Sequence, residues 1–410
     1  MSEENEKLEK MIEPRLLKGF RDYGPTEQLA RQQMFSKIQS VFERFGFLPL
    51  STPVLEYREI LMGKYGEDEK LVYSFKDNGD RDVAMRYDLT VPLARYVAQN
   101  QGQLSFPFKR YQIAPVWRAD NPQKGRQREF YQCDVDAVGT DSIVADAEVI
   151  ACLCQALEAL GVINYKVRLN DRSILQGFSI NTIRAIDKID KIGLDGIIEE
   201  MKANGVEDEE IARAKELVGG SAKPAESTSN IVKMLEQYGL QGVVEFDPSI
   251  ARGLDYYTGT VFEIFLKDKP EFGSICSGGR YDGLVDKFSK QSLPAVGGSI
   301  GVDRLIDALT DMGAMTEAQP IKALILNQNE ALVENYVKVA TELRSQGINV
   351  ELYYSSAKLD KQFKYAESKK IPFAIIIGET EVKDGTVQLK NLATREQEEL
   401  SQKDLVTRLL

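Results

Sequence analysis

A run of cationic side chains between residues 118 and 128 is the part of this sequence best suited to chemistry. Arg118, Lys124, Arg126 and Arg128 fall close together in a chain whose formal net charge is −11. Guanidinium and ammonium groups gathered in this way suit a polyanion such as a nucleotide triphosphate. Taken alone, the same residues fit a solvated sheet face with a basic loop about equally well.

The elements around this cluster predict an antiparallel hairpin. An aromatic and aliphatic run from Tyr111 to Trp117 leads into a polar loop from Ala119 to Gln127, and a second strand returns from Arg128 to Asp136. Because side chains on a strand alternate between faces, one face of the second strand carries Arg128, Phe130, Gln132, Asp134 and Asp136. We expect a flat ligand to stack on Phe130 and an N–H-bearing ligand to meet Asp136.

Three features of this stretch form a pattern: Arg118-x-Asp120, a Pro-Gln-Lys-Gly-Arg loop that ends at Arg126, and Phe130-Tyr131-Gln132. The pattern resembles motif 2 of the class II aminoacyl-tRNA synthetases, specifically that of the histidyl-tRNA synthetase family. The resemblance implies an ATP site that includes Arg118, Asp120, Arg126 and Phe130, with Mg²⁺ accompanying the ATP. Ala119 departs from the family, many of whose members carry histidine or another large polar residue after the motif 2 arginine.

A second candidate site lies in the stretch ARGLDYYTGTVFEIF, residues 251–265. A glycine follows Arg252, so a ligand can approach the backbone while the guanidinium grips a carboxylate or phosphate. Two consecutive tyrosines, Tyr256 and Tyr257, ordinarily place one ring in the core and one outside. The string RGLDYYTG is similar to one in the histidyl family. That similarity implies that Arg252 contacts the substrate carboxylate and the α-phosphate, that Arg252 and Arg118 are the catalytic residues, and that both tyrosines border an imidazole pocket.

The segment AMRYDLTVPLARY, residues 84–96, places Asp88 and Thr90 two positions apart. In an extended segment the two side chains point the same way, and a carboxylate beside a hydroxyl suits an ammonium group. An Asx-turn or helix N-cap is about twice as probable on the residues alone. The resemblance implies that Asp88, Thr90 and Gln132 hold the amino group of the amino acid, with Asp136 and Tyr257 near its imidazole.

Two glycine-rich segments follow. Cys276 to Leu284, CSGGRYDGL, predicts a turn that is weak as a phosphate loop. The resemblance implies that Tyr281 helps to enclose the imidazole pocket. Ala295 to Leu309 predicts a strand entering an amphipathic helix with Arg304 in its first turn, where the macrodipole disfavours a cation by about 0.3–1 kcal/mol.

A residue placed against its local preference is a candidate for ligand contact. An exposed Arg304 paired with Asp303 or Asp307 fits equally well on the residues alone. The segment resembles class II motif 3, and the resemblance implies that Arg304 packs on adenine opposite Phe130.

Composition narrows the class of protein. The chain has 410 residues, 43% of them hydrophobic and 28% charged, which suits a globular protein of two or three domains. No apolar run approaches the roughly 20 residues of a membrane helix, and the N-terminus is charged, so we expect a cytosolic protein with no membrane association. The four cysteines show no CxxC or zinc-ligand spacing, and the absence of histidine excludes Ser-His-Asp chemistry and histidine-ligated metals.

The N-terminal elements predict an interface. Apolar residues recur at helical spacing from Thr26 to Phe45, with Gly46 as a stop. The extended run after it carries Pro49 and Pro53, and proline cannot donate to a ladder, so the run should lie at a sheet edge or subunit boundary. A plain helix and strand explain the residues about three times more readily. The segment also resembles class II motif 1, which implies a homodimer.

The rest of the chain completes the predicted architecture. Ser142 to Leu160 predicts a helix, and residues 177–240 predict a charged helical insertion. Beyond Pro320, strands and helices alternate in a β-α-β-α-β order that implies a parallel sheet. The fold class is therefore α+β, with a mainly antiparallel catalytic domain over residues 1–320 and an α/β domain over residues 321–410 that resembles class IIa anticodon-binding domains.

The resemblance covers nearly the whole chain and implies a histidine–tRNA ligase. Such an enzyme activates L-histidine with ATP and transfers it to tRNA(His). Two other classes stay open: a non-catalytic paralogue that regulates ATP phosphoribosyltransferase, and a synthetase-like polymerase accessory protein. The paralogue typically lacks the anticodon-binding domain and parts of the ATP site, whereas Arg118, Arg252 and Arg304 all stand in this sequence.

Overall fold

The computed structural model describes residues 12–63, 66–122, 127–251, 256–314 and 319–410. Two compact units make up the chain. The first consists of Met1–Tyr23 and Arg31–Met315, and the second of Gly24–Ala30 and Thr316–Leu410. No described helix is both long enough and apolar enough to cross a bilayer.

The described strands of the first unit form one large sheet and one small sheet. In chain order they are β1 (Leu48–Pro49), β2 (Leu55–Tyr57), β3 (Ser74–Lys76), β4 (Asp82–Met85), β5 (Phe108–Trp117), β6 (Glu129–Val138), β7 (Tyr165–Asp171), β8 (Val244–Phe246), β9 (Thr260–Leu266), β10 (Ser274–Arg280) and β11 (Ala295–Gly301). The large sheet has the order β1-β5-β6-β11-β10-β9-β7-β8, and the small one the order β2-β4-β3. Only the outer pairs β1–β5 and β7–β8 of the large sheet are parallel. The predicted mainly antiparallel sheet is confirmed.

The predicted hairpin forms the centre of the large sheet. Strands β5 and β6 pair from Phe108 opposite Val138 to Trp117 opposite Glu129. On its other side β6 pairs with β11, so its residues have neighbours on both flanks. Strand β1, which ends at Pro49, lies at the sheet edge where the prolines predicted it.

Gly278 and Gly279 of the predicted turn Cys276–Leu284 lie instead inside strand β10, so that prediction is wrong for residues 276–280. Gly278 of β10 lies opposite Gly298 of β11 and Phe262 of β9. A Cβ at Gly278 would lie 2.5 Å from Cζ of Phe262 and 2.6 Å from Cα of Gly298. Glycine is needed here because the ring of Phe262 and the backbone of β11 come so close to Gly278, and not because the chain turns.

Helices cover the large sheet and build the insertion. They are α1 (Pro25–Arg44), α2 (Arg58–Leu61), α3 (Thr90–Asn100), α4 (Ile143–Ala159), α5 (Ile180–Ile186), α6 (Ile189–Ala203), α7 (Asp208–Glu216), α8 (Glu226–Gln237) and α9 (Val302–Asp311). Apolar side chains of α1 and α4, among them Phe42 and Cys152, are fully buried in the core of the sheet. Helices α5, α6 and α7 share a separate small core, whereas α8 contributes Ile231 and Leu235 to the main one.

The second unit has its own sheet in the order β13-β12-β14-β15-β16. Its elements are β12 (Ala323–Ile325), α10 (Val333–Ser345), β13 (Val350–Leu352), α11 (Leu359–Ser368), β14 (Phe373–Ile376), α12 (Glu379–Asp384), β15 (Thr386–Asn391), β16 (Gln397–Ser401) and α13 (Gln402–Leu409). Strands β13, β12 and β14 are parallel, as the alternating order predicted. The antiparallel strands β15 and β16 are an addition that the sequence did not indicate.

The crowding at Gly278 gives a stability prediction. Gly278→Ala should lower the thermal unfolding midpoint by roughly 5 °C or more, because overpacking a core costs about 1–3 kcal/mol or more. Gly283→Ala is the matched control, since a Cβ at Gly283 has nothing within 4 Å. Equal melting of the two variants, followed by circular dichroism, would contradict the assignment of a crowded strand.

Candidate active site

A cavity of about 300 Å³ lies over the centre of the large sheet. Five residues predicted to bind ligands line it: Arg118, Asp120, Phe130, Gln132 and Arg304. The other lining residues are Leu71, Tyr87, Gln127, Ser274, Ile275, Cys276, Ser277, Ser299, Gly301 and Asp303. Strands β6, β10 and β11 and the start of α9 therefore bring together residues that are far apart in sequence.

Arg118 is held between two aromatic rings. Its guanidinium carbon lies 4.3 Å from the centroid of Tyr87 and 5.1 Å from that of Phe130. Its Nε donates to the carbonyl of Tyr87 at 3.1 Å. Stacking on both sides fixes the plane of the guanidinium at the cavity wall.

The start of α9 is anchored to β6 through Asp303. One carboxylate oxygen of Asp303 accepts from the backbone N–H of Tyr131 at 2.7 Å. The other accepts from the hydroxyl of Tyr23 at 2.9 Å and forms an ion pair with the fully buried Arg31. Burial raises the pKa of the Tyr23 hydroxyl, which therefore stays a donor. This anchor orients the next residue, Arg304, whose guanidinium donates to the carbonyl of Ser274.

A second group of predicted residues forms a buried acidic pocket. Asp136 makes an ion pair with Arg110 of β5 at 2.8 Å and accepts from the hydroxyl of Tyr281. The ring of Tyr256 lies 5.8 Å from that of Tyr281, and its hydroxyl donates to Asp88 at 3.4 Å. Tyr257 stacks edge-on against Tyr256 at 5.1 Å. The strand opposite Asp136 carries a glycine, Gly297, because a Cβ at that position would collide with the carboxylate of Asp136.

Gln132 and Ser299 connect the cavity to the acidic pocket. Nε2 of Gln132 donates to Oγ of Ser299 at 3.1 Å, and the Ser299 hydroxyl donates to the carboxylate of Asp134. Asp134 and Asp136 follow Gln132 on the same face of β6. One continuous polar track thus runs from the cation-rich cavity to the tyrosine-lined end.

Burial sets the protonation of the pocket. It raises the pKa of Asp134 to about 7, against the opposing effect of Arg110, and it also raises the pKa of Asp136. The pKa values of Tyr257 and Tyr281 rise for the same reason, so both hydroxyls remain protonated. Because Asp134 holds its proton more tightly when folded, its contribution to stability is complete below an unfolded pKa of about 3.9 and is lost as the pH rises through about 7.

Asp88 and Thr90 do not lie in an extended segment, so that prediction is wrong. Thr90 begins helix α3, and Oδ1 of Asp88 accepts from the backbone N–H groups of Thr90 and Val91 at 3.1 and 2.9 Å. The carboxylate forms an Asx-turn at the start of the helix, as the alternative reading of these residues indicated. Its other oxygen faces Tyr256, so Asp88 still belongs to the acidic pocket.

Several predicted residues lie elsewhere or outside the described ranges. Arg126 and Arg252, together with Lys124, lie outside the described residues. Arg128 does not line the cavity, because its Nε donates to the carbonyl of Asp120 at 2.9 Å. The sequence reasoning missed Arg110, Tyr87 and Ser299, although the pairing of β11 with β6 puts Ser299 directly opposite Asp134.

The arrangement suits a ligand with two unlike ends. The cavity offers guanidinium groups and an aromatic face, which fit a nucleotide and its phosphates. The acidic pocket offers carboxylates and tyrosine hydroxyls, which fit a cationic or N–H-rich group. In the described ranges, no group of three acidic or cysteine side chains could hold a metal ion.

The chain is similar to known proteins over nearly its full length. The family model for histidyl-tRNA synthetase matches residues 19–305, and that for the anticodon binding domain matches residues 322–410. A histidine–tRNA ligase from Rhodopirellula baltica is 42% identical over 425 positions, covering 95% of this chain and 96% of the relative. The crystal structure of histidyl-tRNA synthetase from Nostoc sp. PCC 7120 has a TM-score of 0.84 at 30% identity, covering 97% of this chain and 99% of that one.

A further structure shares the fold alone. It is described as an ATP phosphoribosyltransferase regulatory subunit/histidyl-tRNA synthetase from Bacillus halodurans C, and it has a TM-score of 0.70 at 24% identity. The match covers 86% of this chain and 96% of that one.

The anchor of α9 gives a second prediction. Arg31→Met should lower the free energy of unfolding by about 3 kcal/mol, because it leaves the carboxylate of Asp303 buried without its cation. Urea denaturation followed by tryptophan fluorescence measures the loss. Arg21→Met is the control, since Arg21 is 42% exposed in its side chain and meets Asp307 at 3.6 Å, a surface pair that is worth about 0–1 kcal/mol. A loss no larger than that of the control would contradict the anchor.

Proposed function

This chain belongs to the histidyl-tRNA synthetase family and is a histidine–tRNA ligase, and from that premise we propose which residues carry its reaction. The enzyme activates histidine with ATP and transfers it to tRNA. The observation that best supports the proposal is the continuous polar track from a guanidinium-lined cavity to a buried acidic pocket.

We assign the cavity to ATP. Adenine stacks between Phe130 and Arg304, the position expected from the resemblance to motifs 2 and 3. Arg118 meets the phosphates, with Asp120 at the cavity wall and Arg126 in the adjoining loop as further contacts. The two-sided stacking of Arg118 supports this role, because a fixed guanidinium binds phosphate oxygens without losing much conformational freedom.

We assign the acidic pocket to L-histidine. Asp88, Thr90 and Gln132 lie on the side of the amino group, whereas Asp136, Tyr256, Tyr257 and Tyr281 enclose the imidazole. The ion pair and hydroxyl contact of Asp136 support this assignment, because they fix its carboxylate in place before a ligand arrives. Arg252 reaches the histidine carboxylate in this proposal.

Magnesium would enter with the nucleotide. Mg²⁺ keeps several waters and is bound by substrate phosphates with one or two carboxylates, so a protein cage of three carboxylates is unnecessary. Asp120 is a cavity-lining carboxylate that could share the ion, whereas Asp303 is engaged with Arg31. The ion would supply charge neutralisation on the triphosphate.

The proposed chemistry is an in-line displacement. An oxygen of the histidine carboxylate attacks the α-phosphorus, the bond to the bridging oxygen breaks, and pyrophosphate leaves. Arg118 and Arg252 stabilise the negative charge that develops on the α-phosphoryl oxygens. The terminal ribose hydroxyl of tRNA then attacks the carbonyl of histidyl-adenylate and releases AMP. Because the chain contains no histidine, the adenylate phosphate is the base that we propose for this hydroxyl.

The domain assignment follows the same premise. We propose that residues 1–320 catalyse the reaction and that residues 321–410 bind the anticodon of tRNA(His). The match of an anticodon binding domain to residues 322–410 supports this division. It also weighs against the regulatory paralogue, as do ligase relatives about 40% identical over nearly the whole chain.

We infer that the enzyme works in the cytoplasm as a homodimer. Leu55, Tyr57 and Phe75 support the dimer, because they are exposed on one face of the small sheet, where Tyr57 and Phe75 both flank Val83. An exposed cluster of large apolar side chains on a short sheet marks an interaction surface.

Histidine-dependent exchange of labelled pyrophosphate into ATP tests the activation step. The wild-type chain should exchange with histidine and with no other amino acid, and Arg252→Ala should lower the rate by orders of magnitude, roughly 10³-fold, while the protein stays folded. Arg44→Ala is the control, because Arg44 is an exposed residue at the end of α1. Near-normal exchange by Arg252→Ala would refute its role, and absence of exchange in the wild type would favour the regulatory function.

Sedimentation velocity tests the dimer. Leu55→Glu should shift the enzyme from dimer to monomer, since a carboxylate placed in an apolar interface must be desolvated. Ile163→Glu is the matched control, because Ile163 is also exposed, at 79%, but follows α4. A monomeric wild type would contradict the inference, as would equal behaviour of the two variants.

A further inference from the structure

Asp134 is a buried carboxylate that the proposed assignments leave without a task. It lies at the centre of β6, only 3% exposed, between Gln132 and Asp136 on the face that bears the pocket. Ser299 donates a hydrogen bond to its carboxylate, yet Oδ1 has no hydrogen-bond partner among the described protein atoms. A buried oxygen without a donor is costly, so it indicates a donor supplied by a ligand.

The charges around Asp134 and Asp136 do not balance within the described ranges. Arg110 is the cation that pairs with this couple, and its contact is with Asp136. Its Nε and Nη1 find no acceptor there. Arg86 on the neighbouring segment donates to the carbonyls of Pro115 and Thr52 at 2.9 and 2.8 Å, and its positive charge also acts on Asp134. Asp88 adds a third carboxylate that acts on Asp134, so three carboxylates share two guanidinium groups.

The groups that face the couple come from every adjacent element. They are Arg110 on β5, Ser299 on β11, Arg86 and Asp88 before α3, Tyr257 before β9 and Tyr281 after β10. Behind them, Tyr256 contacts Asp88, and Glu263 of β9 acts on Tyr257. Most of these side chains are acidic or hydroxylic. The pocket thus offers acceptors in excess and lacks one positive charge.

Resting on the proposed function, we propose that Asp134 and Asp136 together bind the substrate's imidazole as imidazolium, and that Asp134 is a specificity-determining residue. Imidazolium carries two N–H donors and one positive charge, whereas neutral imidazole carries one donor and one acceptor. The protonated ring supplies the charge that the pocket lacks. A neutral amide or phenyl side chain of similar size supplies neither the charge nor both donors.

The proton balance of this binding depends on pH. Burial raises the pKa of Asp134 to about 7 in the free protein. Below that pH Asp134 is protonated, and it passes its proton to the imidazole when histidine binds. The O–H bond breaks as the N–H bond forms, so no proton is taken from solvent. At about pH 8 Asp134 is ionised and free imidazole, with a pKa of about 6.5, is neutral, so the ring takes its proton from solvent.

Isothermal titration calorimetry of the 410-residue chain with L-histidine measures this proton directly. Titrations at about pH 8 in phosphate and in Tris, whose ionisation enthalpies differ, should show uptake of nearly one proton per histidine bound by the wild type. Asp134→Asn should lose most of that uptake and bind histidine roughly tenfold or more weakly. Asp141→Asn, an exposed aspartate beyond the end of β6, should retain both values.

The outcomes separate this inference from the proposed function. Tight histidine binding without proton uptake by the wild type overturns the imidazolium inference and leaves the ligase assignment standing. Unchanged affinity in Asp134→Asn overturns the specificity role. Failure of the wild type to bind histidine or to exchange pyrophosphate overturns the proposed function itself. If Asp134→Asn does not fold, the wild-type measurement still decides the charge of the ring, and the KM for ATP shows whether a folded variant keeps an intact nucleotide site.

Discussion

Placing carboxylates inside a β-sheet is the constraint on which the rest of this structure depends. Asp136 lies near the middle of an eight-stranded sheet, and Gly297 opposite it has no side chain, which gives the carboxylate its room. Arg110 from the strand on the other side supplies the compensating charge. A buried charge is tolerated only when it is paired and hydrogen-bonded, so the glycine, the arginine and the tyrosine that contacts Asp136 form one arrangement.

At the nucleotide end of the site the charged groups are cations, and aromatic rings and carbonyl oxygens hold them in place. Arg118 is stacked on two rings, and Arg304 is oriented by its own helix start, which Asp303 ties to β6. Arg31 of α1 forms an ion pair with Asp303 and neutralises its charge. The first long helix, the central strand and the helix after β11 are thereby linked at the wall of the cavity, and a disturbance of the link reaches the residues proposed to contact adenine.

The sequence predicted local elements better than it predicted neighbours across the sheet. The hairpin, helix α4 and the strand into α9 followed from periodicity, since the residues that decide them are adjacent in the chain. The glycines of β10 were wrongly predicted to form a turn, because the sequence alone does not distinguish a glycine needed for close packing from one needed for a turn. Ser299 and Arg110 were missed because their importance comes from strand register. Likewise Asp88 was read as extended, whereas its carboxylate forms an Asx-turn whose place depends on where α3 begins.

All four cysteines are fully buried, at Cys133, Cys152, Cys154 and Cys276, and burial raises the pKa of each thiol. Thiolate is the reactive form, so the native protein should be inert toward maleimides and mild oxidants. A single cysteine introduced on the surface would then be the only site to accept a fluorophore. Distances between labelled positions could be followed during turnover in an otherwise unaltered background.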